Sequence, residues 1–138
     1  MGYPFPSEAW LNALNDILNS DERYAEVAKK WEGDILFIIL PDETADGQTK
    51  SVYYLDLWHG KCRKVSYIDP STADLPKAKF VFEITNKQVV KILQGEMDAM
   101  QAMVTRKLKV GGDLGYMLRN VPVVLDFIRC CREVGIEG

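Results

Sequence analysis

Long apolar runs are missing from this chain of 138 residues. The longest uninterrupted one, Ile35 to Leu40, has six residues, where a membrane-spanning helix needs about 20, so a transmembrane helix is excluded. Histidine is almost absent. With His59 alone, a metal site built on two or three imidazoles is ruled out and no metal is expected. A Ser-His-Asp or Cys-His constellation would depend on that one ring. Its setting beside Gly60 reads as a turn, and no nucleophile elbow lies near it. The three cysteines, Cys62, Cys130 and Cys131, are too few and of the wrong parity for a disulfide framework, and adjacent residues of a helix cannot bridge comfortably. Reduced thiols fit best. The opening MGYPFPSEAW lacks the basic flank and apolar stretch of a signal peptide, and Pro6 stands where N-acylation at Gly2 would want Ser or Thr. A cytoplasmic protein is expected.

Positive charge is not in excess either: 17 Lys and Arg stand against 20 Asp and Glu, so the chain as a whole is not built to attract nucleic acid. The segment Gly111-Gly112-Asp113-Leu114-Gly115 has neither the G-x-G-x-x-G spacing nor the Lys-Ser/Thr ending of a phosphate loop. Its G-x-x-G core carries Asp113 and Leu114 where a nucleic-acid clamp would want positive charge. Glu96 and Asp98 project from different sides of a short helix and read as surface charges. No cofactor and no acid, base or nucleophile cluster is implied, so catalysis is not expected.

What is present is ordinary globular material, 47% apolar and 27% charged, sized for a single domain over residues 1–138. Charge is unevenly placed: residues 1–60 hold 4 basic against 11 acidic side chains, residues 61–138 hold 13 against 9. Local basic patches at Lys61, Arg63, Lys64 and at Arg106, Lys107, Lys109 read as solvated strand faces.

Ser7 caps a first helix on Trp10, Leu11, Leu14, Ile17 and Leu18. A capping box from Asn19 to Glu22 opens a second, ending near Lys30. Ile35–Leu40 reads as a central strand buried on both faces, followed by a polar turn at Gly47. Residues 51–60 and 61–68 form the other two strands of a meander, joined at His59-Gly60. After a loop over 69–77, residues 78–85 make a fourth strand with Phe80, Phe82 and Ile84 on one face. Asn86 caps a helix that stops at Gly95. A short helix over 96–105, a fifth strand over 106–110, a helical turn over 113–121 and a final helix with Pro122 near its first position complete the chain. The pattern is α+β, with an antiparallel sheet of about five strands.

Methionine stands out. Met97, Met100 and Met103 recur every third residue and Met117 follows; such flexible, polarizable side chains re-pack around varied apolar ligands, or fill an ordinary core.

The segment FEITNKQVVKILQGEMDAMQAMVTRKLKVGGDLGYMLRNVPVVLDFI, residues 82–128, resembles the sterol carrier protein two family of nonspecific lipid-transfer domains. Gly95 matches the glycine that ends the family's helix, Ala99 and Ala102 its small positions, Lys107, Leu108, Lys109 and Val110 its basic strand, and Gly112-Asp113 the end of that strand. The departures are Thr105-Arg106, where the family usually has a small residue and Gly, and Gly111 in place of a charged residue. The last residues, Ile-Glu-Gly, are not a Ser-Lys-Leu address, so the resemblance is to a free-standing cytoplasmic version.

That resemblance implies an α+β fold: a five-stranded, mostly antiparallel sheet covered on one face by about five helices, with an apolar cavity between the layers. It implies binding, and transfer, of fatty acid, fatty acyl-CoA, sterol-like molecules or phospholipid. Burying a 16-carbon chain is worth on the order of 12 kcal/mol gross, enough for micromolar affinity after association costs. Candidate lining residues are Phe80, Phe82, Ile84, Met97, Met100, Met103, Met117, Leu118, Val124, Leu125 and Ile128, with Lys107 and Lys109 as headgroup partners. Partners would be the lipid or acyl-CoA, with room for transient membrane contact and a homodimer, and no nucleic acid. Two rivals stand beside it: a structural or dimerisation module with a filled cavity, and a small acyl-CoA-handling enzyme.

Overall fold

In a computed structural model that describes residues 3–41, 50–68 and 75–136, the opening prolines deliver the chain to Ser7. The Ser7 hydroxyl accepts from the Trp10 N–H at 3.1 Å and opens α1 (Glu8–Ser20), satisfying one of the unpaired donors of the first turn. Tyr53 pins this start to the sheet, its hydroxyl accepting from the Ser7 N–H and donating to the Ser7 carbonyl. The second helix, α2 (Glu22–Val27), is capped by Asp21 rather than Asn19. Asn19 completes α1 instead, and its amide is engaged with both backbone groups of Cys62, a long-range pairing that outcompetes the local capping box.

The strands are β1 (Glu32–Leu40), β2 (Ser51–Trp58), β3 (Lys61–Ile68), β4 (Phe80–Thr85) and β5 (Lys109–Gly112), in the spatial order β3-β2-β1-β4-β5. The apolar run lies at the sheet centre, as its lack of alternation predicts. Ile35 and Ile39 are buried towards the helices, and Leu36, pointing the other way, is buried as well. The pairs β1·β2, β2·β3 and β4·β5 are antiparallel, and β1·β4 is parallel. His59 and Gly60 both have positive φ (49° and 77°), the geometry of a tight hairpin turn that follows strand twist. A side chain at Gly60 would strike the Ala25 carbonyl of α2. The polar turn expected at Gly47 and most of the loop over 69–77 fall outside the described residues.

Four more helices follow: α3 (Asn86–Leu93), α4 (Ala99–Val104), α5 (Leu114–Leu118) and α6 (Val121–Val134). The cap of α3 is Thr85, accepting from the Gln88 N–H, one residue before the expected Asn86. The helix expected from residue 96 begins only at Ala99, with Asp98 as its cap and Glu96 ahead of it, so the two carboxylates do not project from one helix. Pro122 occupies the first turn of α6. The core joins one face of the sheet, Ile35, Leu55, Leu57, Phe80, Phe82 and Ile84 among them, to Leu14, Leu18, Ile92, Phe127 and Val134 of the helices. Among the described residues, six helices cover a mostly antiparallel sheet of five strands, which is the α+β architecture. All three cysteines are free and buried. Burial pushes the thiols of Cys62 and Cys130 up to about 12, so neither offers a thiolate at neutral pH.

A network of charges joins α2 to α6. Arg129 donates to the carboxylate of Asp126, which is almost fully buried, through Nε (2.8 Å) and Nη2 (3.2 Å), to Asp21 at 2.7 Å and to Glu133 at 3.0 Å. Farther along α6, Arg132 donates to the Ile92 carbonyl at 2.8 Å, tying the C-terminus of α3 to the layer beneath.

Candidate functional site

The void bounded by Trp31, Ile35, Leu57, Phe82, Val124 and Phe127 measures about 10 Å³, room for one water at most. The larger apolar space lies to the side, between α4, β5 and α5, as an open cleft of about 470 Å³. That volume is in the range of small-molecule sites.

Local sequence explains why the cleft opens there. In α4 the small residues Ala99 and Ala102 are buried, so the helix lies close against the core and turns Met100 and Met103 sideways into the cleft. Its end is marked by Arg106, whose φ of +63° is the left-handed conformation that normally calls for glycine. The Arg106 N–H bonds the Met103 carbonyl at 3.2 Å and the Leu108 N–H the Ala102 carbonyl at 3.0 Å, folding the chain back so that Leu108 is buried in the cleft. Holding a non-glycine residue in this conformation costs about 1–2 kcal/mol.

Beyond Leu108 the strand β5 pairs Val110 with Phe82 and Gly112 with Phe80. Gly112 has a φ of +112°, and a Cβ there would overlap the Lys79 carbonyl. The turn that follows is closed by Asp113, whose carboxylate accepts from the Tyr116 N–H at 3.0 Å. Tyr116 anchors α5: its hydroxyl accepts from the Glu32 N–H at 2.9 Å, its ring lies 5.2 Å from that of Trp31, and the Lys79 ammonium sits 3.8 Å above it. With Tyr116 fixed inward, Leu114 and Leu118, four apart on α5, face the cleft from its outer side.

The site therefore has a graded depth. Leu108 and Met117 are its buried floor, Met100, Met103 and Val110 its half-buried wall, and Val104, Leu114 and Leu118 an exposed rim. Val104 is 80% exposed and Leu118 63%, unusual for apolar side chains that share a concavity. Among the described residues, Arg106 and Lys109 are the only charged ones lining it. The Lys109 ammonium approaches Glu83 at 4.0 Å, whereas among the described residues the Arg106 guanidinium has no ion pair or hydrogen bond.

Of the residues expected from sequence, the cleft unites Met100, Met103, Met117, Leu118 and Lys109. The others are dispersed. Phe80 and Ile84 are buried in the core, with Phe80 against Trp31 and Tyr116, while Phe82 and Val124 border the small void. Ile128 packs on the core edge. Leu125 lies in a separate groove of about 300 Å³ between α2 and α6, beside Val27 and Arg129. Met97 and Lys107 line a polar groove on the other side of α4, with Lys91, Glu96 and Asp98. The strand expected from residue 106 begins only at Lys109, so Lys107 and Lys109 do not share a strand face. Val104, Arg106, Leu108, Val110 and Leu114 complete the cleft, beyond the lining that sequence reasoning names. Leu108 and Val110 carried a signal, being the apolar residues inside the basic stretch.

Comparison with known proteins gives a consistent result. The sequence profile of the SCP-2 sterol transfer family matches residues 12–124. A crystal structure of sterol carrier protein 2 superposes with a TM-score of 0.82 at 27% identity, covering 94% of this chain and 98% of the other. The solution structure of a conserved hypothetical protein from Thermus thermophilus, described as possibly a sterol carrier protein, gives a TM-score of 0.83 at 26% identity, over 99% and 93% of the two chains. Hydroxysteroid dehydrogenase-like protein 2 of Xenopus tropicalis is 27% identical over 114 residues, 83% of this chain. The chain spans only 24% of that relative's length.

Proposed function

The chain belongs to the SCP-2 sterol transfer family, and from that premise we propose that it carries a lipid with its hydrocarbon portion in the cleft between α4, β5 and α5. The ligand classes are fatty acid, fatty acyl-CoA, sterol-like molecules and phospholipid. One observation carries this reading: a concavity of about 470 Å³ whose floor is Leu108 and Met117 and whose rim is the exposed Val104, Leu114 and Leu118.

The mechanism is sequestration. An acyl chain entering the cleft removes its own apolar surface from water and covers the exposed rim at the same time, gaining about 25 cal/mol for each Å² on both partners. The methionine wall adapts to chains of different shape, and apolar walls discriminate a missing methylene by only about 1–3 kcal/mol. Broad tolerance of chain length follows. Release needs no bond making, only contact with an apolar acceptor such as a membrane surface or a second protein.

The small size of the void under α6, about 10 Å³, favours a second reading, a structural or dimerisation module within a longer protein. Solvent extraction and native mass spectrometry of the purified chain separate the two. A carrier arrives with fatty acid or phospholipid bound and, once stripped, takes up a fluorescent acyl probe. A chain that arrives empty and ignores the probe is a structural module.

A further inference from the structure

We propose that Arg106 is a specificity-determining residue, binding the anionic head, carboxylate or phosphate, of a lipid whose chain lies in the cleft, so that the site selects anionic over neutral lipids. The inference rests on the carrier reading and names the class of lipid within it.

Three observations converge on this side chain. First, among the described residues the cleft is lined by two cations, Arg106 and Lys109, and by no carboxylate, so its mouth favours negative charge. Second, the two cations are not equivalent. Lys109 leans toward Glu83, while the Arg106 guanidinium has no partner among the described residues and is exposed beside Val104. A guanidinium offers a planar fork that matches a carboxylate or phosphate. Third, the backbone at Arg106 works against the residue that stands there. Two successive helices, α3 and α4, end in the same way, with a left-handed residue whose N–H returns to the carbonyl three before it: Gly95 to Ile92, and Arg106 to Met103. Gly95, with φ +78° and open space around it, is the unstrained solution. An arginine at the corresponding position of α4 gives nothing to the turn, and among the described residues its side chain has no hydrogen bond or ion pair that would explain it within the fold.

The same strain makes the idea testable without harming the fold, because Arg106→Gly relieves the backbone while it removes the side chain and its charge. Dodecanoic acid and its methyl ester, each below its critical micelle concentration, compete against a bound fluorescent acyl probe. The unaltered chain is expected to prefer the acid by about five- to tenfold, the scale of an exposed charge-assisted hydrogen bond. In Arg106→Gly the preference falls to near unity because the acid loses affinity and the ester far less, and the urea midpoint is equal or higher. Arg106→Lys, which keeps charge at the same backbone strain, retains most of the preference. Equal preference in the unaltered chain and Arg106→Gly, or parallel loss of acid and ester binding, overturns the assignment. So does discrimination that appears only with anionic vesicles present, since the arginine would then read a surface and not a bound lipid. If neither ligand displaces the probe from the unaltered chain, the carrier reading itself fails and takes this inference with it.

Discussion

Met117 and Leu118 are neighbours on α5, yet Met117 is 1% exposed and Leu118 63%. One closes the floor of the cleft against the core, and the other stands at its rim in water. A five-residue helix held by Tyr116 and capped by Asp113 thus divides its apolar side chains between stability and ligand contact, and substitutions at the two positions should separate these roles.

Met117→Ala is expected to lower unfolding free energy by about 2–4 kcal/mol, the usual loss for a buried methionine. Leu118→Ala should change stability by no more than about 0.5 kcal/mol while weakening acyl-probe binding several-fold. Urea unfolding and probe titration on both variants check this. A stability loss at Leu118 equal to that at Met117 would contradict the depth assigned to the cleft.

Met100 supplies the wall opposite α5. Met100→Trp should occupy the cleft and cut probe uptake by at least about tenfold, with a stability change below about 2 kcal/mol because the added volume has open space to enter. A large loss of stability with unaltered uptake would show that Met100 packs in the core and that the chain goes elsewhere.

Much of this architecture is legible in the sequence because its causes are local. Ser7 precedes an apolar 3.6-residue pattern and caps the helix that follows. The unalternating Ile35–Leu40 run lies at the sheet centre, and His59-Gly60 makes the tight turn between β2 and β3. Phe80, Phe82 and Ile84 alternate into the core as period two requires. The site is less legible for two physical reasons. An open volume results from how α4, β5 and α5 fail to meet, which no single segment encodes. Moreover, the left-handed turn at Arg106 reverses the chain before β5 begins, and arginine is not a residue whose presence announces such a turn. Spacing alone therefore sets Lys107 on the same face as Lys109, when it lies across α4. Asn19 shows the same limit, since its amide satisfies Cys62 far along the chain and leaves the cap to Asp21.

Asp126 is the buried charge on which the α2–α6 contact depends, with a side chain 4% exposed and in reach of both Arg129 and Arg23. Asp126→Ala is expected to destabilise by about 3 kcal/mol, the scale for removing one partner of a buried pair, moderated because Arg129 keeps Asp21 and Glu133. Urea unfolding with an unchanged m-value tests it. A loss under about 1 kcal/mol would mean that the network is solvated in practice.

Asp21 performs two tasks with one oxygen, capping α2 by accepting from the Tyr24 N–H at 2.8 Å and pairing with Arg129 at 2.7 Å. The hydrogen bond from Arg129, followed by that from the Tyr24 N–H, holds its carboxyl below the usual value. A carboxylate with a depressed folded-state pKa contributes stability that is fully present above its unfolded pKa, about 3.9. That contribution is lost as pH falls through the folded value, when the native state must take up a proton it binds poorly. Asn caps a helix as well as Asp does, so Asp21→Asn removes the charge and keeps the cap. It should lose about 1 kcal/mol at pH 7 and flatten the decline of stability on acidification below about pH 5. Asp21→Ala loses the cap too and should fall by about 1 kcal/mol more. Urea unfolding of the three proteins between about pH 7 and pH 3 distinguishes the contributions. An unaltered slope in Asp21→Asn would show that the ion pair with Arg129 adds nothing to the folded state, leaving Asp126 as the sole charged tie between the two helices.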